Sequence, residues 1–540
     1  MKGLFNILYL DSFTLFPEYF ISVSIIYVLI VVVLITYNIY GLMLQKALSE
    51  CFALIMFMAC YLLLNDDLTS FRFVSFYGSI INDHFAFFTK FIICFSSGLF
   101  FLIISNFLKY HRITSFEYLI ILLFAILGLI LLCSSYDLLT AYLAIELSSL
   151  ASYVLASFKK TSSYSIESGL KYFITGAISS AFFLLGSSFI YIVIGSISLV
   201  DFKTVSDTIF VDMPKYDYLY TSAVYEEQLS SRILAYLCFN FVAYGYPTPY
   251  PQFHNFLADI GLALIIFSLF IKLGLAPFHL WSLDVYEGSP TSSTFFFAVI
   301  SKLSFFVLLF RLCHQTFISL MNIFFFYSLI IIILSVFIGS FGGLKTRKLK
   351  TLLAYSSTSH MGYAMLAFMS FDRMIAIEMG IFYLVIYMLT GLCTWFIILS
   401  LKLKNKSVKN KYSLELGDLA LLYKSNPALA FSFALTVFSM SGIPPLIGFL
   451  AKLGVFFSVI LTDYYWLPLI AILCSVVSTF YYIRIIKVLY FENLLVGKLY
   501  YPIENQKILI LSILTFLLVF LFINPTILFL NVIKIVEFYF

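Results

Sequence analysis

Charge is what this chain of 540 residues has least of: Asp, Glu, Lys and Arg together make up 11% of it, where a soluble domain carries about 25%. So little charge excludes a soluble globule. With 62% hydrophobic residues and a mean hydropathy of +1.04, the chain reads as an all-α polytopic membrane protein. The formal net charge of +5 is no argument for a nucleic-acid partner, because in a membrane protein the placing of charges matters more than their sum. Clustered cysteine is missing too. Cys51, Cys60, Cys94, Cys133, Cys238, Cys313, Cys393 and Cys474 lie scattered, with no CxxC and no Cys/His group. They read as small buried hydrophobes, not as ligands for zinc or an iron–sulfur cluster. The first 19 residues do not look like an Arg- and Ser-rich transit peptide or a cleavable signal. The 63 Phe and 39 Tyr suit an A+T-rich genome such as an organelle's.

About fourteen apolar windows, from 20–42 and 50–65 through 256–276, 290–315 and 427–460 to 507–530, are long enough to cross about 30 Å of hydrocarbon. The loops between them divide by charge. Odd-numbered connections carry Lys46, Lys109 with Arg112, Lys159 with Lys160, the run from Lys345 to Lys350, the lysines from Lys402 to Lys424, and Lys498. Even-numbered short ones hold little beyond Arg72, Arg311 and Arg373. The positive-inside rule then puts the odd loops in the matrix or cytoplasm and both termini on the other side. The long connection from Gly195 to Asn255 falls on that outer side. Its Tyr216–Tyr220 stretch, its short apolar patch near Ile233 to Ala243 and its prolines from Pro247 to Pro251 fit a surface loop with an interfacial helix or a docking site for a neighbouring subunit.

Charges inside the apolar windows carry the functional signal. Lys272 sits in the run from Asp259 to Pro290, followed by Gly274 and Pro277. An ammonium at the bilayer centre costs about 2.5–3.5 kcal/mol on insertion scales, so it faces protein or water. The nearby glycine and proline predict a helix broken at membrane depth, tolerated where a polar cavity satisfies the freed backbone. Glu146 lies nine residues after Asp137, about 13 Å into its helix, where a lone carboxylate needs a partner. Lys171 can pair with Glu167 one turn before it. Lys302 has only apolar neighbours besides Ser301 and Ser304. His360 ends the run Ser356, Ser357, Thr358, Ser359 in a spanning segment, and either a proton relay or a hydrogen-bonded histidine fits it. A second break follows at Gly442, Pro444 and Pro445, with Lys452 beyond it. The two broken segments stand five helices apart and so run in opposite directions, the plan of inverted repeats.

The stretches LLTAYLAIELSSLASYVLA (Leu138 to Ala156), ESGLKYFITGAISSAFFLLG (Glu167 to Gly186), IKLGLAPFHLWSLDVYEGSPT (Ile271 to Thr291), KTRKLKTLLAYSSTSHMGY (Lys345 to Tyr363), FSMSGIPPLIGFLAKL (Phe438 to Leu453) and YYIRIIKVLYF (Tyr481 to Phe491) resemble the antiporter-like subunits of proton-pumping NADH–quinone oxidoreductase, respiratory complex I. The resemblance covers most of the chain from about residue 85, and the segment Asp284 to Pro290 matches the chain 2 branch rather than those of chains 4 and 5. It implies two inverted five-helix repeats, each with a broken helix, within a fourteen-helix fold. The division expected is 1–115 for N-terminal helices, 116–315 for the first repeat with loop 196–255, 316–490 for the second repeat and 491–540 for the last loop and helix. It also implies a mid-membrane proton path through Glu146, Lys171, Lys272, Lys302 and Lys452, with His360 filling a gap. NAD, FMN, iron–sulfur clusters and ubiquinone are expected in partner subunits and no cofactor in this chain. The expected partners are other membrane-arm and accessory subunits and lipids, in the mitochondrial inner membrane. Glu146 is expected to pair electrostatically with Lys272 or Lys171. A cation/proton antiporter subunit and a scaffold whose charges merely pair are the competing readings.

Overall fold

A computed structural model describes residues 15–36, 41–65, 73–111, 115–202, 251–317, 321–369, 373–402, 415–461, 464–492, 500 and 503–537. The first residues of the N-terminal stretch, the central part of the long connection with Tyr216–Tyr220 and Ile233 to Ala243, and the loop lysines Lys404 to Lys411 and Lys498 lie outside the described residues.

Six helices come first: α1 (Phe16–Thr36), α2 (Gly41–Leu64), α3 (His84–His111), α4 (Glu117–Ser134), α5 (Leu138–Ser157) and α6 (Ser163–Ile194). The seventh segment is broken into α7 (Pro251–Leu273) and α8 (Leu280–Gly288). Next is α9 (Thr291–Thr316), a continuous helix with π turns at Phe296–Ile300 and Arg311–Thr316. Then come α10 (Met321–Gly342), α11 (Leu349–Ala367), α12 (Arg373–Ser400), a second broken segment made of α13 (Pro427–Ser441) and α14 (Ile447–Ile460), α15 (Trp466–Tyr490) and α16 (Asn505–Ile523). These account for fourteen segments.

Eleven of the helices are long and apolar enough to cross a membrane. The two halves of the second broken segment, α13 and α14, are shorter apolar helices, and α11 carries the polar run before His360.

Burial follows composition. Helices α9 and α12 are strongly apolar and lie buried in the bundle, α9 against α4 and α12 against α14, so the polar side chains that α9 carries are buried with it. Helix α6 is as apolar, yet most of its length is uncovered, so it faces lipid or another chain.

Two departures from the sequence reading are small and physical. A two-stranded antiparallel ribbon, Phe73–Ser75 against Ile80–Asn82, occupies the second connection, so the chain is not wholly helical. The last apolar window is not one span: it stops at Asn524 and resumes as α17 (Thr526–Glu537). Pro525 has no N–H to continue the helix and forces Asn524 out of helical geometry.

Candidate functional site

Both breaks begin at a glycine with positive φ, Gly274 at +71° and Gly442 at +82°, a conformation that costs other residues about 1–2 kcal/mol. Each break strands carbonyl groups that the intact helix would have used. At the first, the indole nitrogen of Trp281 donates to the carbonyl of Ile271 at 2.8 Å. At the second, Nζ of Lys452 donates to the carbonyl of Ser441 at 2.7 Å. Helix α8 is held against the second half of the chain by Lys350, whose Nζ donates to the Ser289 carbonyl at 2.7 Å, and by the ion pair of Lys348 with Glu287.

Both breaks also set a lysine at the C-terminal end of a half-helix. Lys272 is in the last turn of α7, and Lys452 reaches from α14 back to the final residue of α13. Exposed carbonyls give such an end a partial negative charge that favours a cation by about 0.3–1 kcal/mol, and up to about 2 where partly buried. Lys302 lies on α9, two residues beyond a π turn, and is buried, as is Lys452.

None of these three lysines has an ion-pair partner among the described residues. Nζ of Lys272 donates to the Tyr153 hydroxyl at 3.0 Å, and Nζ of Lys302 to that of Tyr387 at 3.4 Å. Between Lys272 and Lys302 lies a small space, about 10 Å³ of it open to the centre of a water molecule, lined by Tyr172, Ser282, Ser301 and Ser357 among others. Hydroxyls donate and accept, so such a lining suits a single water between the two ammonium groups.

Lys171 stands apart. It lies on the uncovered face of α6 with its side chain 45% exposed, and Nζ sits 2.8 Å from Glu167 and 2.7 Å from Asp284. The expected pair with Glu167 is formed, and Asp284 is a partner the sequence reading missed. Glu146, on α5, is partly buried, and its Oε1 has no hydrogen-bond partner. Of the two electrostatic partners expected for Glu146, Lys272 feels its charge, while Lys171 is matched by other carboxylates. Lys171 is taken by Glu167 and Asp284, and Lys272 is met by Tyr153, two turns further along α5 than Glu146, so the carboxylate reaches Lys272 only through its field.

His360 is buried on α11, with Nδ1 2.7 Å from the Tyr383 hydroxyl and Nε2 3.2 Å from that of Tyr482. Both ring nitrogens are engaged, the geometry that a fixed histidine and a relay alike require. Sequence reasoning missed these tyrosines because it treated Tyr as a mark of codon usage. One signal was present: Glu146, Ser149 and Tyr153 fall at i, i+3 and i+7 and share one face of α5.

The site thus joins Lys272, Lys302, Lys452 and His360 to tyrosine hydroxyls and rings inside a bundle with two broken helices. Residues 135–479 match the family described as NADH:quinone oxidoreductase/Mrp antiporter, TM. The chain belongs to this family. Within it, the chain is 34% identical over 458 residues to the NADH-ubiquinone oxidoreductase chain 2 of Marchantia polymorpha, spanning 84% of this chain and 83% of that one. It is also 34% identical over 422 residues, 78% of each chain, to the NADH-quinone oxidoreductase subunit N of Paramagnetospirillum magneticum. The fold recurs in the respiratory complex I of Thermus thermophilus with bound aureothin, at a TM-score of 0.71 and 24% identity over 96% of this chain and 98% of that one. It recurs in the Mrp complex of Dietzia sp. at a TM-score of 0.71 and 16% identity, over 98% and 97%. The family match begins within the connection before α5 and ends within α15, so it takes in all six candidate residues, Glu146, Lys171, Lys272, Lys302, His360 and Lys452.

Proposed function

We propose that this chain is a membrane-arm subunit of a proton-translocating NADH:ubiquinone oxidoreductase of the mitochondrial inner membrane, and that it moves protons at mid-membrane depth while NADH oxidation and quinone reduction proceed in partner subunits. The observation that carries this reading is the row of three amines, Lys272 half-buried at the first break and Lys302 and Lys452 buried, none of them with an ion-pair partner among the described residues. A lysine so placed gains or loses its proton in response to small changes in the surrounding field. Glu146 supplies such a field at Lys272. The hydroxyl-lined space between Lys272 and Lys302, and His360 between its two tyrosines, bridge distances too long for direct transfer. NAD, FMN, iron–sulfur clusters and ubiquinone belong to partner subunits on this reading, and membrane lipids and accessory subunits cover the apolar outer faces.

A second reading, a subunit of a cation/proton antiporter, is favoured by the likeness of fold to the Dietzia Mrp complex. One experiment separates the two: extraction of native membranes in mild detergent, a native gel stained for NADH dehydrogenase activity, and mass spectrometry of the active band. The chain is expected there at unit stoichiometry with flavin and iron–sulfur subunits. Recovery only from a smaller band without NADH activity would leave the antiporter reading.

A further inference from the structure

Three tyrosine rings stand beside the three enclosed ammonium groups. Nζ of Lys272 is 5.5 Å from the centre of the Tyr153 ring, Nζ of Lys302 is 5.4 Å from that of Tyr387, and Nζ of Lys452 is 5.2 Å from that of Tyr363. All three lie within the distance, about 6 Å, at which the ring quadrupole attracts a cation. The pairs are built by different helices: α5 with α7, α12 with α9, and α11 with α14. Phe outnumbers Tyr in this chain by 63 to 39, so aromatic abundance alone favours phenylalanine at such positions.

The hydroxyls are used differently. That of Tyr387 donates to the carbonyl of Ala298 at 3.0 Å, inside the π turn Phe296–Ile300. Its proton is thereby committed, and its lone pairs are left to accept from Lys302 at 3.4 Å. The Tyr153 hydroxyl accepts from Lys272 at 3.0 Å and lodges against Gly176 of α6, where a Cβ would lie 1.7 Å from the hydroxyl oxygen. Tyr363 turns its hydroxyl away, to the Ala471 carbonyl at 3.4 Å, and meets Lys452 through its ring.

From this geometry we infer that Tyr153, Tyr387 and Tyr363 are positioning residues for proton translocation, holding the three lysines in place where no carboxylate touches them. The first two act through hydroxyl and ring, the third through its ring alone. The inference rests on the proton-translocation reading above.

The test compares Tyr→Phe and Tyr→Leu at each position in the assembled enzyme, reading protons pumped per electron and the pH profile of pumping, with assembly checked on native gels. Tyr153→Phe and Tyr387→Phe are expected to lower pumping and shift its pH profile, and Gly176→Ala to act like Tyr153→Phe by pushing the hydroxyl aside. Tyr363→Phe is expected to pump normally, whereas Tyr363→Leu loses about tenfold, the scale of a desolvated cation–ring contact. Where a leucine variant fails to assemble, the phenylalanine series decides by itself. Equal loss with phenylalanine at all three positions, or no loss at any, overturns the inference. Lys272→Met in the same assay separates the two claims. If it pumps normally the functional reading fails; if it does not pump while all tyrosine variants do, only the inference fails.

Discussion

Nζ of Lys452 donates to the carbonyl of Ser441, 2.7 Å away and eleven residues earlier in the chain. The contact closes the second break upon itself, because the freed carbonyl of α13 becomes the acceptor for the one cation in α14. Gly442 makes the approach possible: a Cβ there would lie 2.7 Å from Cδ of Lys452 and 3.2 Å from its Nζ. Gly442→Ala is therefore expected to displace the ammonium and lower pumping per electron in an assembled enzyme, as Lys452→Met is expected to do. Ser441→Ala keeps the backbone acceptor and is expected to pump normally. Normal pumping by Gly442→Ala would remove this contact from the account.

Lys272 and Glu146 distinguish a proton path from a scaffold. Lys272→Met and Glu146→Gln are each expected to reduce proton pumping per electron, and the double variant to do no better than the worse single one. A scaffold whose charges merely pair predicts recovery in the double variant, since removing both members of an ion pair leaves no charge unmatched. The two side chains make no direct contact, which already argues against simple pairing. Restored pumping in the double variant would return the scaffold reading.

Lys272, Lys302 and Lys452 were legible because a lysine in an apolar run needs an explanation, and both breaks were legible because proline lacks the N–H that continues a helix and glycine weakens one. The number of spanning segments followed from hydropathy alone. The partners of these lysines were not legible: Tyr153, Tyr387 and Tyr363 come from other helices, and helix pairing is a tertiary fact that no period in the sequence records. The same holds for Asp284, which is 113 residues from Lys171. The electrostatic link of Glu146 to Lys272 was legible from their opposite charges, but the direct contact was not: Tyr153, on the same face of α5, supplies it.

Away from the lysine row, two ion pairs are shut inside the bundle. Arg311 meets Asp83 at 2.8 Å, and Lys90 meets Glu18 at 2.5 Å, all four side chains being 5% exposed or less. Asp83 also caps α3, accepting from the backbone N–H of Ala86 at 2.8 Å. Removing one partner leaves a buried charge unmatched, which costs about 3–5 kcal/mol, so Asp83→Ala is expected to lower the yield and melting temperature of the purified enzyme sharply. Glu50→Ala, which opens the exposed contact of Lys46 with Glu50 at 4.0 Å, is expected to change stability by no more than about 0.5 kcal/mol. Similar melting of the two variants would refute the assignment of Asp83 as a structural anchor.

Asp137, in the connection that enters α5, supplies a pH dependence outside the spanning helices. Burial, and after it repulsion from Asp201, pushes its carboxyl up to about 6, above the usual value of about 3.9. The folded chain therefore binds this proton more tightly than the unfolded one. The resulting stabilisation is complete below about pH 4 and is lost as pH rises through about 6. Solvent screening at a half-buried group limits it to about 1 kcal/mol. Asp137 makes no side-chain capping bond to α5, and Asn is as good a capping residue as Asp, so Asp137→Asn removes the titration without removing a contact. The variant is expected to melt higher than the parent at pH 8 and at the same temperature near pH 4. An equal difference at both pH values would show that the carboxyl does not titrate as its surroundings indicate.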